Sequence, residues 1–462
     1  MVYYLDPFGC AKNQVDAEII MARLNDADWK AGDNPESADL IIVNSCGFIE
    51  KAKQESINAV LAWKKHYPQK KILLAGCLTQ RYRKELEESL PEADGFLGCT
   101  ELESAPEKAA ELFTKNTGTC FASRSTVSSA VKKLPGITGR RPLLGFPGSA
   151  YVKVSEGCSN NCSFCAIPLI RGPLSCRSIP DIVKECKELL ARGIKELCLI
   201  GQDLASYNSL ASLLKSIEAL PGDFWVRLLY LHPDHFPPEI PDIIAENNRA
   251  KAGGKTHSKA YFLPYFDIPF QHASKRILSL MGRKGDAEIY LRLLDTIRSQ
   301  LPDAVIRSTF LAGFPGETEK DFSELLDFQD KAGIDWLGVF CWSREEGTAA
   351  YSMKDRVTKK IAAERKKIIE EKQIPITEKK MDRFVGRTMD VLVEEAVDDL
   401  WLGRLFCQAP EVDGAAIIRT GEAQKGNART GNIRTASSPE PGALIRGTVV
   451  ARRGFDLELQ AP

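Results

Sequence analysis

The stretch that decides the fold is EGCSNNCSFC, residues 156–165. It holds Cys158, Cys162 and Cys165 in the spacing C-x-x-x-C-x-x-C, directly after a predicted strand at 151–155. Three thiolates on one short loop can ligate three irons of a cubane cluster, as grouped cysteines do in iron–sulfur proteins. The remaining iron then lacks a protein thiolate, and an open coordination position marks a metal that does chemistry. A zinc knuckle would need a second C-x-x-C pair or a suitable His spacing, and neither follows.

Around this loop, from about 150 to 370, strands and helices alternate. The strand candidates are 151–155, 196–200, 225–231, 266–268, 305–312 and 336–340, with helical stretches such as 179–192 and 317–332 between them. Six strands in this order predict an open, partial (β/α) barrel, two short of eightfold closure. Chemistry in such barrels sits at the C-terminal ends of strands, where the cysteine loop lies. Residues 245–260 (AENNRAKAGGKTHSKA) read as an exposed loop, and 356–381 as a charged connector helix.

The first hundred residues predict a parallel α/β domain. Strands at 2–6, 40–43 and 72–75 alternate with helices at 16–25, 52–65 and 81–90. A second cysteine trio lies here: Cys10 in FGCAKNQVD, Cys46 in NSCGFIE and Cys77 in AGCLTQR. Each closely follows a strand candidate and touches a glycine: Gly9, Gly47 and Gly76. In a parallel sheet such positions converge on the edge where ligands bind. Glycine there lets backbone approach a bulky group closely. Three convergent thiolates again suit a cluster with one open iron. Cys99, Cys120, Cys176, Cys186, Cys198, Cys341 and Cys407 lack this pattern and read as core or surface thiols.

From about 384 onward, short alternating runs at 388–392, 415–418, 445–451 and 455–459 predict a small all-β barrel. Within it, 422–442 is poor in large apolar residues and reads as mobile. The domains are therefore 1–115, a polar linker 116–147, a core with its connector at 148–383, and the barrel 384–462. The chain has 462 residues, enough for about three domains with sizeable cores.

Lys+Arg 62 balances Asp+Glu 62, so the whole-chain charge argues against a wholesale electrostatic grip on nucleic acid or anionic membrane and leaves a local basic patch open. No apolar run approaches the ~18–20 residues that span a bilayer. The first residues lack a basic region followed by an apolar core, so a cytoplasmic location is expected. Thirteen cysteines in such a chain then point to metal or redox chemistry before disulfides.

The open iron of the central trio could chelate the amino and carboxylate groups of S-adenosylmethionine (SAM), with Phe164 packed beside it. At this point the chain resembles the radical SAM superfamily. There, this loop carries a 4Fe–4S cluster, and reductive cleavage of SAM gives a 5′-deoxyadenosyl radical that abstracts hydrogen. Two incomplete cysteine trios with a C-terminal β barrel resemble, over nearly the whole chain, the methylthiotransferases within that superfamily. The ends of the chain then look like their cluster-binding domain and their TRAM domain. GCAKNQVDAE, VNSCGFIEKAKQES, YFDIPFQHAS, RSTFLAGFPGE and APEVDG, near Asp413, resemble the ribosomal, RimO-type branch. The tRNA branch typically carries Gln-Met-Asn where this chain has Ala11-Lys12-Asn13.

The resemblance implies two 4Fe–4S clusters and SAM as methyl donor and radical source. It implies a target aspartate β carbon in small-subunit ribosomal protein S-twelve, and an electron donor such as flavodoxin or ferredoxin. Nucleic acid is then not required. In the implied order, one SAM methylates a sulfur on the N-terminal cluster, a second gives the radical, and the carbon radical takes the methylthio group. Two other classes remain: a tRNA adenosine methylthiotransferase, and an iron–sulfur electron carrier or assembly module. Residues 384–462 carry nine Lys+Arg and eleven Asp+Glu, a net charge of −2. An RNA-binding barrel should be basic. This one favours a basic protein, the alternative being a solvated acidic face with no partner.

Further candidates lie at predicted barrel edges. GFPGE places Gly313 and Gly316 for backbone approach to SAM, and Gln202 and Asp203 follow the strand 196–200. Arg307 faces into or out of the barrel by the period of two; if inward, it pairs with the SAM carboxylate. Arg171 and Arg177 either steer an acidic target or are plain surface arginines. His272 is a cofactor-pocket group or a satisfied core histidine.

Overall fold

The structure, a computed structural model, describes residues 1–114, 142–252, 259–398, 400–420 and 439–461. Strands β1 (Val2–Pro7), β2 (Lys30–Ala31), β3 (Leu40–Ser45), β4 (Lys71–Gly76) and β5 (Gly95–Gly98) form a parallel sheet in the order β2-β1-β3-β4-β5. Helices α1 (Ala11–Asp26), α2 (Glu50–His66), α3 (Cys77–Ser89) and α4 (Ala105–Thr114) pack around it. β3 is buried at every position, as its unbroken apolar run requires. β2, β5 and α4 escape the hydrophobic pattern, the two strands because they span too few residues to show a period.

The central domain begins with β6 (Ser149–Lys153) and a short antiparallel pair, β7 (Ser155–Glu156) and β8 (Ser175–Cys176), which brackets the cysteine loop and α5 (Ile167–Arg171). Then follow α6 (Ile179–Ala191), β9 (Glu196–Ile200), α7 (Leu210–Glu218), β10 (Asp223–Leu228), α8 (Ile240–Ala252), β11 (Lys259–Asp267), α9 (Lys275–Leu280), α10 (Ala287–Gln300), β12 (Val305–Ala312), α11 (Glu319–Ala332) and β13 (Trp336–Cys341). The six long strands form an open parallel sheet, ordered β13-β12-β11-β10-β9-β6, as the strand count predicts.

The segment 245–260 corrects the expectation of an exposed loop. α8 runs into it and β11 starts before its end; residues 253–258 lie outside the described residues. Ile240, Ile244 and Ala245 are buried. The Asn247 side chain donates to the Ala260 carbonyl at 3.3 Å and accepts from the Phe262 N–H at 3.0 Å. β11 also starts seven residues before the predicted strand at 266–268. Pro264 interrupts the run, and the pairing with β10 shifts register across it, so the missing N–H is accommodated.

α12 (Lys359–Asp382) leads to β14 (Thr388–Val397), β15 (Leu400–Leu405), β16 (Ala416–Thr420), β17 (Leu444–Arg453) and β18 (Asp456–Ala461). These close into a barrel, β14-β15-β16-β18-β17. β15 is additional to the predicted strands. The expected linker and the expected mobile segment lie mostly outside the described residues.

Side-chain alternation gives the central sheet two different faces. Val152, Leu197, Leu199, Val226 and Phe262 pack outward into the helices. Tyr151, Cys198, Trp225, Tyr265 and Trp336 point inward, into a core shared with the N-terminal domain and the C-terminal barrel. The inner face also carries buried charge. Glu196 pairs with Arg227 at 2.8 Å and with Arg404 of β15 at 2.6 Å. Arg227 donates to the Phe406 carbonyl at 2.9 Å, and the Trp336 indole to the Cys407 carbonyl at 2.7 Å. The C-terminal barrel is therefore seated inside the open sheet, with its acceptors matched to inward-facing donors.

Candidate functional site

Cys158, Cys162 and Cys165 lie on the loop after β7, at the C-terminal mouth of the sheet. The loop is pinned on several sides. The Cys158 N–H donates to the Gly172 carbonyl at 3.1 Å, and Ser163 donates through N–H to Met281 O at 2.9 Å. The Asn160 side chain donates to Asp203 at 2.8 Å. Gly157, with φ +68°, turns the chain into the loop. The Asn160 N–H points at the Cys158 sulfur, 3.4 Å away, and the Cys162 sulfur lies 3.9 Å from His232 Nε2. Burial pushes the Cys165 thiol up to about 12, and the neighbouring Cys162 and Cys158 add to this. Such a group of thiols becomes thiolate when a cation joins them. Soft donors on a short loop, with an N–H directed at sulfur, fit an iron–sulfur cluster.

The N-terminal cysteines lie at the ends of neighbouring strands of the sheet. Cys10 is the residue before α1, Cys46 follows β3, and Cys77 opens α3. Asn13 gathers two of them: its amide oxygen lies 3.7 Å from Cys10 Sγ and 3.5 Å from Cys77 Sγ. Its amide nitrogen donates to Ser45 O at 2.8 Å, which fixes its orientation beside Cys46. The glycines do allow close approach, at Gly9 of the Asn13 side chain and at Gly47 and Gly76 of backbone to backbone. A Cβ on Gly47 would lie 2.7 Å from Cys77 O, and one on Gly76, where φ is +100°, 2.7 Å from Ser45 O. Burial drives Cys46 up to about 12. Cys77 is lowered to about 7, first by contact with Cys99 and then by Arg171. Two thiols gathered on one polar amide, with Cys46 at the neighbouring strand end, suit a second cluster by the same chemistry.

Cys99 is a core thiol, within the sequence expectation, but the expectation that it lacks the strand–glycine pattern is corrected. It follows β5 directly, next to Gly98, so it shares the strand–glycine–cysteine pattern. It was hidden because β5 itself was not predicted. It packs with Cys77, Ala166 and Ile170 between the two loops.

Arg171 and Arg177 are corrected too: neither is at the surface. Arg177 is buried and bonds to Glu185 at 2.5 Å and to Lys153 O at 2.8 Å. Arg171 is buried between domains. It donates to Asp16 at 2.8 Å, to Glu156 at 2.9 Å and to Cys77 Sγ at 3.0 Å. Lys153 completes the square, 2.6 Å from both Asp16 and Glu156. Asp16 comes from the N-terminal domain and the other three from the central one. A charge-balanced buried network therefore joins the two cysteine sites.

Arg307 points inward, where Asp267 at 3.0 Å and Asp413 at 3.6 Å engage it. Phe164 stands edge-on to Phe314, with centroids 6.5 Å apart, beside the central trio. Gln202 is half-buried at the C-terminal end of β9. Gly313 and Gly316 have φ +77° and +83°. The close approach at Gly313 is to Ala362 of α12, whose Cβ would be 2.4 Å from an added one. His272 is a core histidine satisfied at one nitrogen, while its buried Nε2 has no hydrogen-bond partner among the described residues. Its Nδ1 accepts two N–H groups at 2.9 and 3.0 Å, and burial holds it neutral, lowered to about 3.

Asn13, Asp16, Lys153 and Glu156 were not singled out from the sequence. A partial signal existed: Asn13 and Asp16 fall three and six residues after Cys10, on one helix face.

Family models match the three parts of the chain. Residues 2–98 match a model described as uncharacterized protein family UPF0004, 152–328 the radical SAM superfamily and 385–459 the TRAM domain. A solved structure of the radical SAM methyltransferase TsrM from Kitasatospora setae covers 73% of this chain and 72% of its own, with a TM-score of 0.53 at 17% identity. That likeness is one of fold. The ribosomal protein uS12 methylthiotransferase RimO of Treponema denticola is 44% identical, covering 99% of this chain and 100% of that protein. The RimO protein of Thermotoga maritima is 37% identical over 89% of this chain and 92% of its own. The chain therefore belongs to the RimO family of ribosomal protein uS12 methylthiotransferases, within the radical SAM superfamily.

Proposed function

We propose that the protein replaces one hydrogen on the β carbon of an aspartate in ribosomal protein uS12 with a methylthio group. SAM serves as methyl donor and as radical source, and each cysteine trio holds a 4Fe–4S cluster. The observation that carries this is the pairing of two thiol trios across one buried charge network, at the mouth of a radical SAM sheet. When bound, the central cluster and SAM supply abstraction of hydrogen from an unactivated C–H bond. Cys158, Cys162 and Cys165 hold that cluster. Phe164, Gln202 and the Gly313–Gly316 turn line the place for SAM. Arg307 would meet its carboxylate only by sharing its guanidinium with Asp267 and Asp413. Cys10, Cys46 and Cys77 hold the sulfur-donating site. Asn13 and Arg171 orient it, and the C-terminal barrel receives the basic substrate.

The test is mass spectrometry of uS12 and of tRNA from cells with and without the gene. Loss of the methylthio group from uS12 alone is expected. An unchanged uS12 beside a lost tRNA modification would reverse the assignment. Replacing either trio by alanine should halve the iron of reconstituted protein and leave one EPR signal. If the N-terminal replacement changes neither, the two-cluster proposal fails.

A further inference from the structure

Lys12 is a buried cation with no carboxylate or carbonyl partner among the described residues. It is 6% exposed, in the first turn of α1, two residues after Cys10. Every other buried lysine or arginine among the described residues pairs with a carboxylate or donates to a carbonyl. The Lys12 ammonium instead sits over the Tyr230 ring, 3.2 Å from its centroid. A ring face offsets part of the lost hydration but supplies no counter-charge.

Tyr230 is itself held in a strained position. Its φ is +65°, a left-handed value that a bulky residue rarely adopts and that tends to mark functional sites. Both flanking elements enforce it: its N–H donates to Asp267 at 3.1 Å, and its carbonyl accepts from Leu204 N–H at 2.9 Å. The residue follows β10 at the mouth of the sheet, on the same side as the central cysteine loop. The charges acting on its ring include Lys12, Cys10, Asp267 and Arg307. Lys12 thus stands at the sheet mouth, beside the first thiol of the N-terminal trio. The positive end of α1 adds to its charge.

We propose that Lys12, braced by Tyr230, is the residue that binds the side-chain carboxylate of the substrate aspartate and so selects an acidic protein target. This rests on the function proposed above. A carboxylate drawn to the ammonium completes the missing ion pair, and it brings the adjacent carbon between the two thiol trios. The arrangement rewards an acidic side chain and leaves a neutral one facing an uncompensated charge.

The test uses reconstituted holoenzyme with full-length uS12. Lys12→Met keeps the length of the side chain and removes its charge; Lys12→Arg keeps the charge. A lost charge-assisted contact predicts a KM for uS12 raised roughly tenfold to a hundredfold in Lys12→Met. Iron content, cluster EPR and the KM for SAM should stay as in the parent, and Lys12→Arg should recover most of the loss. In a double-mutant cycle, uS12 with the target aspartate changed to asparagine should bind the parent enzyme more weakly and Lys12→Met equally well. An unchanged KM for uS12, a raised KM for SAM, or loss of the N-terminal cluster signal would each overturn the inference. If the parent enzyme itself leaves uS12 unmodified, the functional assignment fails first, which separates the two.

Discussion

The Arg171 guanidinium, carried on the helix after the central cysteine loop, lies 3.0 Å from the Cys77 sulfur of the N-terminal domain. The same nitrogen is 2.8 Å from Asp16 and 3.2 Å from Asn13 Oδ1. One side chain therefore connects the loop of one trio to the thiols of the other. A separation set by such a contact cannot drift without exposing buried charge.

Arg171→Met should destabilise the protein by about 3–5 kcal/mol, because Asp16 and Glu156 then share a single cation, Lys153. Thermal or denaturant unfolding checks this. A loss under 1 kcal/mol would show that the network does not hold the domains.

Glu196 anchors the C-terminal barrel through Arg227 and Arg404. Burial would raise its carboxyl, but Arg404 and Arg227 outweigh it and hold it at about 2. Its stabilisation is thus fully present above the ordinary glutamate range and is lost as pH falls through about 2. Glu196→Gln should weaken barrel docking at neutral pH by about 3–5 kcal/mol, by leaving two arginines without their shared carboxylate. Limited proteolysis of the 384–462 region should speed up; an unchanged rate would contradict the anchoring role.

Asp413 behaves oppositely. Burial raises its carboxyl to about 6, although Arg307, the Tyr265 hydroxyl and the Ala409 N–H pull it down. A raised carboxyl contributes stability that is fully present below about 4 and lost as pH rises through about 6. The parent protein should lose up to ~3 kcal/mol across that window relative to Asp413→Asn. Parallel stability curves for the two proteins between these pH values would refute the assignment.

On the proposed ligand assignment, Gly157→Ala should cost the central cluster. With φ +68°, an added Cβ would lie 2.2 Å from Pro173 O and 2.5 Å from Gly172 O, and neither is a movable side chain. The turn into Cys158 must then open. Reconstituted Gly157→Ala should carry the iron of one cluster and form no 5′-deoxyadenosine. Full iron loading would show that the turn tolerates a side chain.

Much of this molecule was legible along the chain. The spacing of Cys158, Cys162 and Cys165 reports local chemistry, because eight consecutive residues form one loop wherever it is placed. The buried runs at β3 and β9, and the strand–glycine–cysteine pattern, reveal a parallel sheet whose cysteines meet at one edge, since parallel strands all end on the same side. Where elements are short, as in β5, period carries no signal, and Cys99 was overlooked for that reason.

By itself, the sequence pointed to two cysteine trios and to the order of the three folded parts, an order the family models match. Only tertiary structure decided what lies between them. Arg171 reads as a surface arginine until Asp16, 155 residues away, is packed against it. Arg307 reads as inward or outward with equal ease until Asp413 arrives from the C-terminal barrel to meet it on the inner face. Lys12 looks like any helix lysine until the fold buries it on Tyr230 without a counter-charge. A charge declares its partner only after burial removes the water that would otherwise satisfy it, and burial is a property of the packed chain.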